Sequence, residues 1–324
     1  MIPAALLVAG CGSSTKSDNA QSTAAPQTAA TAAPTVAFPA VSGKTIPELM
    51  QGMQHGLGLA PSVSVLHPGT SRLGFAVFDT ARKPINGAPV AVYVSRQDGS
   101  DVHGPFLARS ESLVVKPAFQ SVTTARDPDA AKMVYVAEVP FPKAARYRIS
   151  GIAELDGRKV ALDPFVADVT TKGGGVPMVG GRAPRVHTPT LASAGGDASK
   201  IDTRSPAARD LLKDDLYTVY GKKPVVLLFA TPSLCQSRVC GPVVDVQEQV
   251  RSALGDKDVS FIHVEIYRNN QVNQGLRPQP AAYRLPTEPW LFVLDRHGRV
   301  STRIEGAFSP TELEHAITKV VKAT

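Results

Sequence analysis

The chain has 324 residues, of which 43% are hydrophobic and 19% are charged, and its formal net charge is +7 at pH 7. This composition is typical of a globular protein and excludes both a polytopic membrane protein and a wholly disordered chain. The length is sufficient for two modest domains. The basic residues form no run of five or six, so we expect no nucleic-acid partner, because that would require a concentrated basic face.

The N-terminus has the pattern of an export signal. Residues 1–10 are a short apolar run that ends in small residues and is too short to span a bilayer, and Cys11 follows them. The string Val8-Ala-Gly-Cys11 resembles the lipobox of bacterial lipoproteins. This resemblance implies a signal peptide over residues 1–10 and a lipid anchor at Cys11, which would hold the protein on the extracytoplasmic side of the cell membrane. A buried helix that ends in Gly-Cys is the alternative.

The segment after Cys11 is predicted to be a disordered tether over residues 11–43. It consists mainly of Ala, Ser, Thr, Gln, Pro and Gly, with charges only at Lys16 and Asp18. Such a composition cannot bury enough apolar surface to offset the entropy of the chain. We therefore expect the tether to hold the folded part clear of the lipid headgroups.

Residues 44–170 contain short alternating apolar runs separated by Gly, Pro and Asp, without a helical period. The clearest hairpin turns at Asp156-Gly157, since this dipeptide accommodates the positive φ of a tight turn. The spacing of the runs favours an antiparallel β-sandwich and resembles an immunoglobulin-like domain. His67 and His103 fall in predicted loops without companions, so we predict no metal site in this domain.

Glycines and prolines over residues 171–204 predict an interdomain linker. Residues 205–324 then follow the order helix, strand, helix, strand, strand, strand, helix. The apolar run 225–230 predicts a buried central strand, residues 242–254 predict a helix, and Ser309-Pro-Thr-Glu312 is a capping box that opens the last helix. The sequence thus predicts a second, α/β domain that folds without the sandwich.

Cys235 and Cys240 lie between the central strand and the helix after it. Outside the cytoplasm two neighbouring thiols are expected to pair, and amide dipoles at a helix N-terminus favour the thiolate. On a regular helix, residues five apart have Cα atoms roughly 8–9 Å apart, beyond the limit of about 7 Å for a disulfide. A bond therefore requires Cys235 to lie in the loop before the helix.

Residues 205–324 resemble the TlpA/ResA-like extracytoplasmic thiol-disulfide oxidoreductases of the thioredoxin fold. The resemblance rests on three strings, which are Phe229-Ala-Thr-Pro232, Cys240-Gly-Pro242 and Glu288-Pro-Trp-Leu-Phe-Val-Leu-Asp-Arg-His-Gly298. It implies a thioredoxin-like fold and dithiol-disulfide exchange through Cys235 and Cys240, without a cofactor. It also implies that Pro289 is a cis-proline facing the cysteines, and that the partners are extracytoplasmic protein thiols or disulfides.

Departures from the family pattern leave alternatives open. The cysteines are spaced C-x4-C rather than C-x-x-C, and Leu227 or Leu228 replaces the buried acidic residue of the family. One alternative is a redox-inactive binding module in which the disulfide only staples the loop. Another is a Sco-like copper chaperone, in which the two cysteines and a histidine, His263 or His297, bind Cu(I). We interpret His263 as a core histidine and predict no metal ligand.

The family pattern can be aligned to this sequence in two ways, and the two alignments differ on which cysteine is the attacking one. Counting from the strand end at Phe229 makes Cys235 the outer, attacking cysteine, whereas counting from the Cys-Gly-Pro string makes it Cys240. We favour Cys235, because a loop cysteine is more accessible to a partner.

Overall fold

The computed structural model describes Met1 and residues 36–322. Residues 31–324 belong to one compact unit. Apart from Met1, the predicted signal peptide, the predicted anchor Cys11 and the tether as far as residue 35 lie outside the described residues. Within the described part of the chain, no helix has both the length and the apolar character needed to cross a bilayer.

A short helix, α1 (Ile46–Leu49), precedes a barrel of seven strands. The strands are β1 (Gln54–Pro61), β2 (Gly69–Asp79), β3 (Val90–Ser95), β4 (His103–Ser112), β5 (Met133–Phe141), β6 (Ala145–Leu155) and β7 (Arg158–Val169). They pair in the order β1-β2-β5-β4-β3-β6-β7. Because side chains alternate across a strand, Leu73, Phe75 and Val77 of β2 all point into the apolar interior of the barrel. The connection from β4 to β5 contains a second short helix, α2 (Val122–Arg126).

The predicted immunoglobulin-like sandwich is wrong, because the sheet closes on itself. β1 and β7 pair in parallel, with Leu57 opposite Leu162 and Gly58 opposite Asp163. A sandwich would instead keep two separate sheets face to face. The alternating runs over residues 72–79, 89–95, 133–140, 146–155 and 159–169 correctly indicate strands, whereas the run over residues 62–66 is not a strand. The pairing of the first strand with the last joins residues far apart in sequence. Nothing in the local pattern encodes that pairing.

The rest of the chain builds a four-stranded mixed sheet. A short helix, α3 (Leu216–Val219), leads into the strands β8 (Val225–Phe229), β9 (Ser260–Val264), β10 (Trp290–Leu294) and β11 (Val300–Glu305), with the spatial order β11-β10-β8-β9. β8 and β9 are parallel, and β10 is antiparallel to both β8 and β11. The remaining helices are α4 (Cys240–Leu254), α5 (Pro278–Ala282) and α6 (Pro310–Val321).

Two different coverings protect the faces of this sheet. Val226 and Leu228 of β8 lie in one apolar cluster with side chains of α4 and α6. Val225, Leu227 and Phe229 point to the other face. That second face is covered by irregular chain and short helical turns, from which Val176, Ala183, Leu216 and Tyr283 are buried.

The predicted fold class of two domains, one of them a thioredoxin-like α/β fold, is therefore wrong. The described chain is mostly β, and α4 and α6 are the only helices within it longer than five residues. β5 is buried on both sides, because Tyr135 and Ala137 face the barrel interior while Val134 and Val136 join the cluster around α4. The barrel and the four-stranded sheet thus share apolar packing. The domain boundaries drawn from the sequence stay predictions.

Candidate functional site

Cys235 and Cys240 form a disulfide, with their Cα atoms 5.9 Å apart. Cys240 is the first residue of α4, whereas Cys235 lies in the loop that connects β8 to that helix. The prediction that Cys235 must lie off the helix is thus confirmed, although the helix begins two residues before Pro242. Cys240 is fully buried and Cys235 is 8% exposed. Of the two sulfur-bearing residues, only Cys235 reaches the surface.

Arg238 shapes the loop between the two cysteines. Its φ of 59° lies in the left-handed region, which is unfavourable for a residue with a Cβ. Two contacts hold it there: its carbonyl accepts a hydrogen bond from the Ala131 N–H at 3.1 Å, and its Nη1 lies 3.1 Å from Oδ2 of Asp127. Both partners come from the connection between β4 and β5. The conformation of the disulfide loop therefore depends on the barrel.

We call residues 117–131, within the β4–β5 connection, the cap segment. It lies against the disulfide loop, and the two border an open cavity of about 520 Å³. Asp127, Arg238 and Cys235 are among the residues that line this cavity. The sequence shows only a gap between two strands here, so nothing in it indicated that the gap would cover the cysteines.

A buried ion pair fixes the cap segment to α4. Nε of Arg204 lies 2.8 Å from Oδ1 of Asp245, and the two side chains are 6% and 1% exposed. Oδ2 of the same aspartate accepts hydrogen bonds from the N–H and the hydroxyl of Ser121 at 3.1 and 3.2 Å. Arg204 also donates to the carbonyl of Phe119 at 2.7 Å. Three segments of the chain thus meet one turn below Cys240.

Pro289 lies at the same end of the sheet as the disulfide loop. The Glu288–Pro289 bond is cis, as predicted. The next residue, Trp290, pairs with Phe229, the last residue of β8. The carbonyl of Pro289 accepts a hydrogen bond from the Gly306 N–H at 2.9 Å. Its role toward a substrate stays a prediction.

His297 lies at the opposite end of the sheet. It follows β10, whose last residue Leu294 pairs with Val225 at the start of β8. The structure therefore does not bring His297 together with Cys235 and Cys240, and a Sco-like copper set that uses His297 is not assembled.

A buried polar cluster lies behind the disulfide loop. It consists of Asp202, His263 and Glu265, at the end of the sheet where β8 and β9 finish. His263 places Nε2 3.1 Å from the carbonyl of Ala230, so it lies in the core as interpreted. Burial raises the pKa of Glu265, against the opposing effects of His263 and of hydrogen bonds from Thr203. Sequence reasoning missed both carboxylates; the signal available was Glu265 two residues after His263.

The cluster is linked to the disulfide loop through Thr203. Its hydroxyl accepts a hydrogen bond from the Ser233 N–H at 3.1 Å, and its carbonyl accepts one from the Ser233 hydroxyl at 2.7 Å. Thr203 also donates its N–H and hydroxyl to Oε1 of Glu265, both at 2.7 Å. The loop that carries Cys235 is thus built on the polar cluster.

No known protein family matches the chain, and no curated protein matches it. Among solved structures it is similar to a thioredoxin-family thiol:disulfide interchange protein from Chlorobium tepidum TLS, with 16% identity over 43% of this chain and 95% of that chain and a TM-score of 0.30. It is also similar to the Lin-41 filamin domain, with 11% identity over 33% of this chain and 83% of that chain and a TM-score of 0.18. Both likenesses are too weak to carry an argument. A thioredoxin-family protein is thus a weak structural neighbour, and the function must be argued from the site itself.

Proposed function

We propose that the protein carries out thiol-disulfide exchange through Cys235 and Cys240. The observation that supports this most is their disulfide, which joins the loop after a central strand to the first turn of a 15-residue helix. The amide groups at a helix N-terminus favour the thiolate, which is the reactive form of cysteine. Cys235 lines the cavity between the disulfide loop and the cap segment, where a partner would approach it.

In the reduced protein, the Cys235 thiolate attacks one sulfur of a substrate disulfide. A mixed disulfide forms, and the other substrate sulfur leaves as a thiolate that takes up a proton. The Cys240 thiolate then attacks Sγ of Cys235, which releases the second substrate sulfur and restores the Cys235–Cys240 disulfide. The substrate is reduced by two electrons and the protein is oxidised by two; the same steps in reverse oxidise a substrate dithiol.

The proposed setting is the extracytoplasmic face of a membrane, with Cys11 as the lipid anchor. The lipobox string and the uncharged composition after it support this location. The partners would then be protein thiols or disulfides outside the cytoplasm. A fatty-acid analogue should label the wild type and leave Cys11→Ser unlabelled, and equal labelling of both would overturn the anchor.

A structural disulfide is the second candidate, and the burial of the cysteines favours it. Cys240 is fully buried and Cys235 is 8% exposed. A disulfide that only staples a loop should resist reduction, with a potential below about −300 mV, whereas a working one should be more oxidising. Titration of the protein against a glutathione redox series measures the difference.

Trapping experiments test the exchange directly. In a Cys11→Ser background, Cys240→Ser should accumulate mixed disulfides through Cys235, identified by mass spectrometry, because the resolving thiol is gone. The matched variant Cys235→Ser should trap little. The opposite pattern would transfer the attacking role to Cys240, and an absence of trapping with either variant would favour the structural disulfide.

A further inference from the structure

The cluster of Asp202, His263 and Glu265 has the composition of a metal site and no part in the exchange steps above. Each residue offers a ligand atom within 4.8 Å of those of the other two. Their residue exposures are 3%, 1% and 1%. The residues come from the segment before β8, from β9 and from the position after β9. Folding therefore gathers them from separate parts of the chain into one buried place.

The ring of His263 is oriented as a metal ligand. Nε2 lies 3.1 Å from the Ala230 carbonyl, and because a carbonyl only accepts, Nε2 carries the proton. Nδ1 is buried and has no hydrogen-bond partner. Histidines that bind metals typically donate their other ring N–H to a carbonyl or a carboxylate in this way. The arrangement leaves the Nδ1 lone pair directed at the cluster.

The two carboxylates are oriented by hydrogen bonds as well. Asp202 accepts from the N–H groups of Arg204 and Ala208 at 2.8 and 2.7 Å. Glu265 uses only Oε1, toward Thr203, and Oε2 is buried without a partner. An unpaired buried acceptor costs free energy unless something binds it. Two such atoms, Oε2 of Glu265 and Nδ1 of His263, occur in this one cluster.

The spacing fits a shared ion better than a direct contact. Nδ1 of His263 lies 3.7 Å from Oδ1 of Asp202, too far for a hydrogen bond. Two ligands of one tetrahedral zinc ion at 2.0–2.2 Å are roughly 3.3–3.6 Å apart. Two guanidinium groups nearby donate elsewhere, Arg204 to Asp245 and Arg277 to the Tyr267 and Lys200 carbonyls. A dication would neutralise the two carboxylates.

We infer that Asp202, His263 and Glu265 bind a divalent transition-metal ion, with Zn²⁺ as the expected occupant. Imidazole and carboxylate ligands suit Zn²⁺, and the absence of thiolate from this set disfavours Cu(I). The Thr231 hydroxyl is fully buried beside the Glu265 carboxylate and would complete the ligand set, directly or through a water. The ion joins the start of the disulfide loop to β9. This site does not depend on the proposed exchange reaction.

The test uses the full chain in a Cys11→Ser background, stripped with a chelator and kept oxidised so that no thiolate is available. Calorimetric titration with Zn²⁺ should give one equivalent, and Co²⁺ should give visible absorption bands of a bound ion. Glu265→Gln, which keeps the shape and the Thr203 contacts, should lower the affinity at least about tenfold. His297→Ala and the double variant Cys235→Ser/Cys240→Ser should bind as the parent does.

Two results would overturn the inference. One is the absence of saturable binding of Zn²⁺ and Co²⁺ by the folded parent. The other is unchanged binding by Glu265→Gln that circular dichroism shows to be folded. If that variant does not fold, the melting temperature of the parent is measured with and without Zn²⁺. The melting temperature must rise with Zn²⁺, because a ligand that binds the native state stabilises it. No rise would refute the site.

Discussion

Glu312 links the last helix to the barrel through two arginines. Its carboxylate accepts from Nε and Nη2 of Arg72 at 2.9 and 2.8 Å, and from Nη2 of Arg109 at 2.9 Å. The side chain is 9% exposed. Burial alone would raise the pKa of Glu312, but the two guanidinium groups and the Ser309 N–H outweigh it and hold the pKa below the ordinary glutamate value.

The stability of the protein should therefore fall in acid. A carboxyl whose pKa is lowered by folding stabilises the native state above its unfolded pKa, about 4.3, and this contribution is lost as the pH falls through the lower folded value. Glu312→Gln should cost roughly 2 kcal/mol at pH 7, less than the ~3–5 kcal/mol of a fully buried pair. The difference from wild type should shrink below pH ~4.

Urea unfolding at a series of pH values measures this difference. Glu314→Gln, an exposed change on the same helix, is the control and should follow the wild type throughout. A gap between Glu312→Gln and wild type that stays constant down to pH ~2 would show that the charge of Glu312 plays no part.

At this scale the sequence predicts some residues well and others not. Spacing and redox chemistry predict the Cys235–Cys240 pair, and the resemblance predicts the cis bond at Pro289. The cluster of Asp202, His263 and Glu265 escaped prediction. Asp202 comes from a stretch predicted as linker, and its partners join it only when β8 and β9 are in place. The local sequence pattern does not indicate which distant residues come together in the folded chain.

Among the elements, the cap segment decides how open the disulfide is. The ion pair between Arg238 and Asp127 and the N–H of Ala131 hold it against the loop. The Arg238 and Asp127 side chains are 55% and 21% exposed, so this ion pair contributes only about 0.5–1 kcal/mol. Opening of the Asp127–Ala131 end of the cap is therefore expected as a local fluctuation, while the buried contacts of Ser121 with Asp245 hold the other end in place.

Asp127→Asn should speed reduction of the disulfide by a small thiol. Loss of the ion pair raises the population of the open form by a factor of about two to five, which corresponds to the free energy above. The rate of thiol release with excess dithiothreitol measures it. Asp129→Asn removes a charge from the same segment but leaves the ion pair, and it should react at the wild-type rate. Equal rates for all three proteins would mean that the cap does not control access.

Elements with strong local signals were predicted closely. The run 225–230 is β8 (Val225–Phe229), and the capping box at Ser309 and Glu312 does open α6. The barrel was not predicted, because closure depends on the parallel pairing of β1 with β7. The role of β5 was also hidden, since its alternation indicates one buried face while the structure buries both.

For the molecule as a whole, the shared packing around β5 joins the barrel to the four-stranded sheet. Val134 and Val136 belong to the same apolar cluster as Val243 and Leu313 of the helices. Unfolding of either the barrel or the four-stranded sheet would expose the apolar cluster that they share, so we expect the two to unfold together. The boundary predicted at residue 205 would instead allow the two parts to unfold separately.

We therefore expect a single unfolding transition. The fluorescence of Trp290, the only tryptophan of the chain, reports on the sheet, and far-ultraviolet circular dichroism reports mainly on the barrel. The two signals should share one urea midpoint. Val136→Ala should shift both together by about 2 kcal/mol, because it leaves a cavity in the shared cluster. Leu107→Ala, at a side chain that is 44% exposed, should shift neither.

Two separate midpoints, or a shift of only one signal in Val136→Ala, would support the boundary at residue 205 instead. The sequence alone favours that boundary because residues 171–204 are rich in Gly and Pro. In the structure the same stretch contributes Val176 and Ala183 to a core. Composition indicates how a segment behaves in isolation. It does not show whether the rest of the fold offers an apolar surface on which the segment can pack.

Closure of the barrel also governs how neighbouring copies of the chain meet. A barrel closed by β1 and β7 leaves no open strand edge for another chain to extend. At β11, Val300 already exchanges backbone hydrogen bonds with Gly180 and Gly181, at 2.8 and 2.9 Å. The backbone N–H and C=O groups to which another chain could add a strand are thus already hydrogen-bonded at these places. Copies crowded on one surface, as the proposed anchor would hold them, therefore cannot add a strand at these two places.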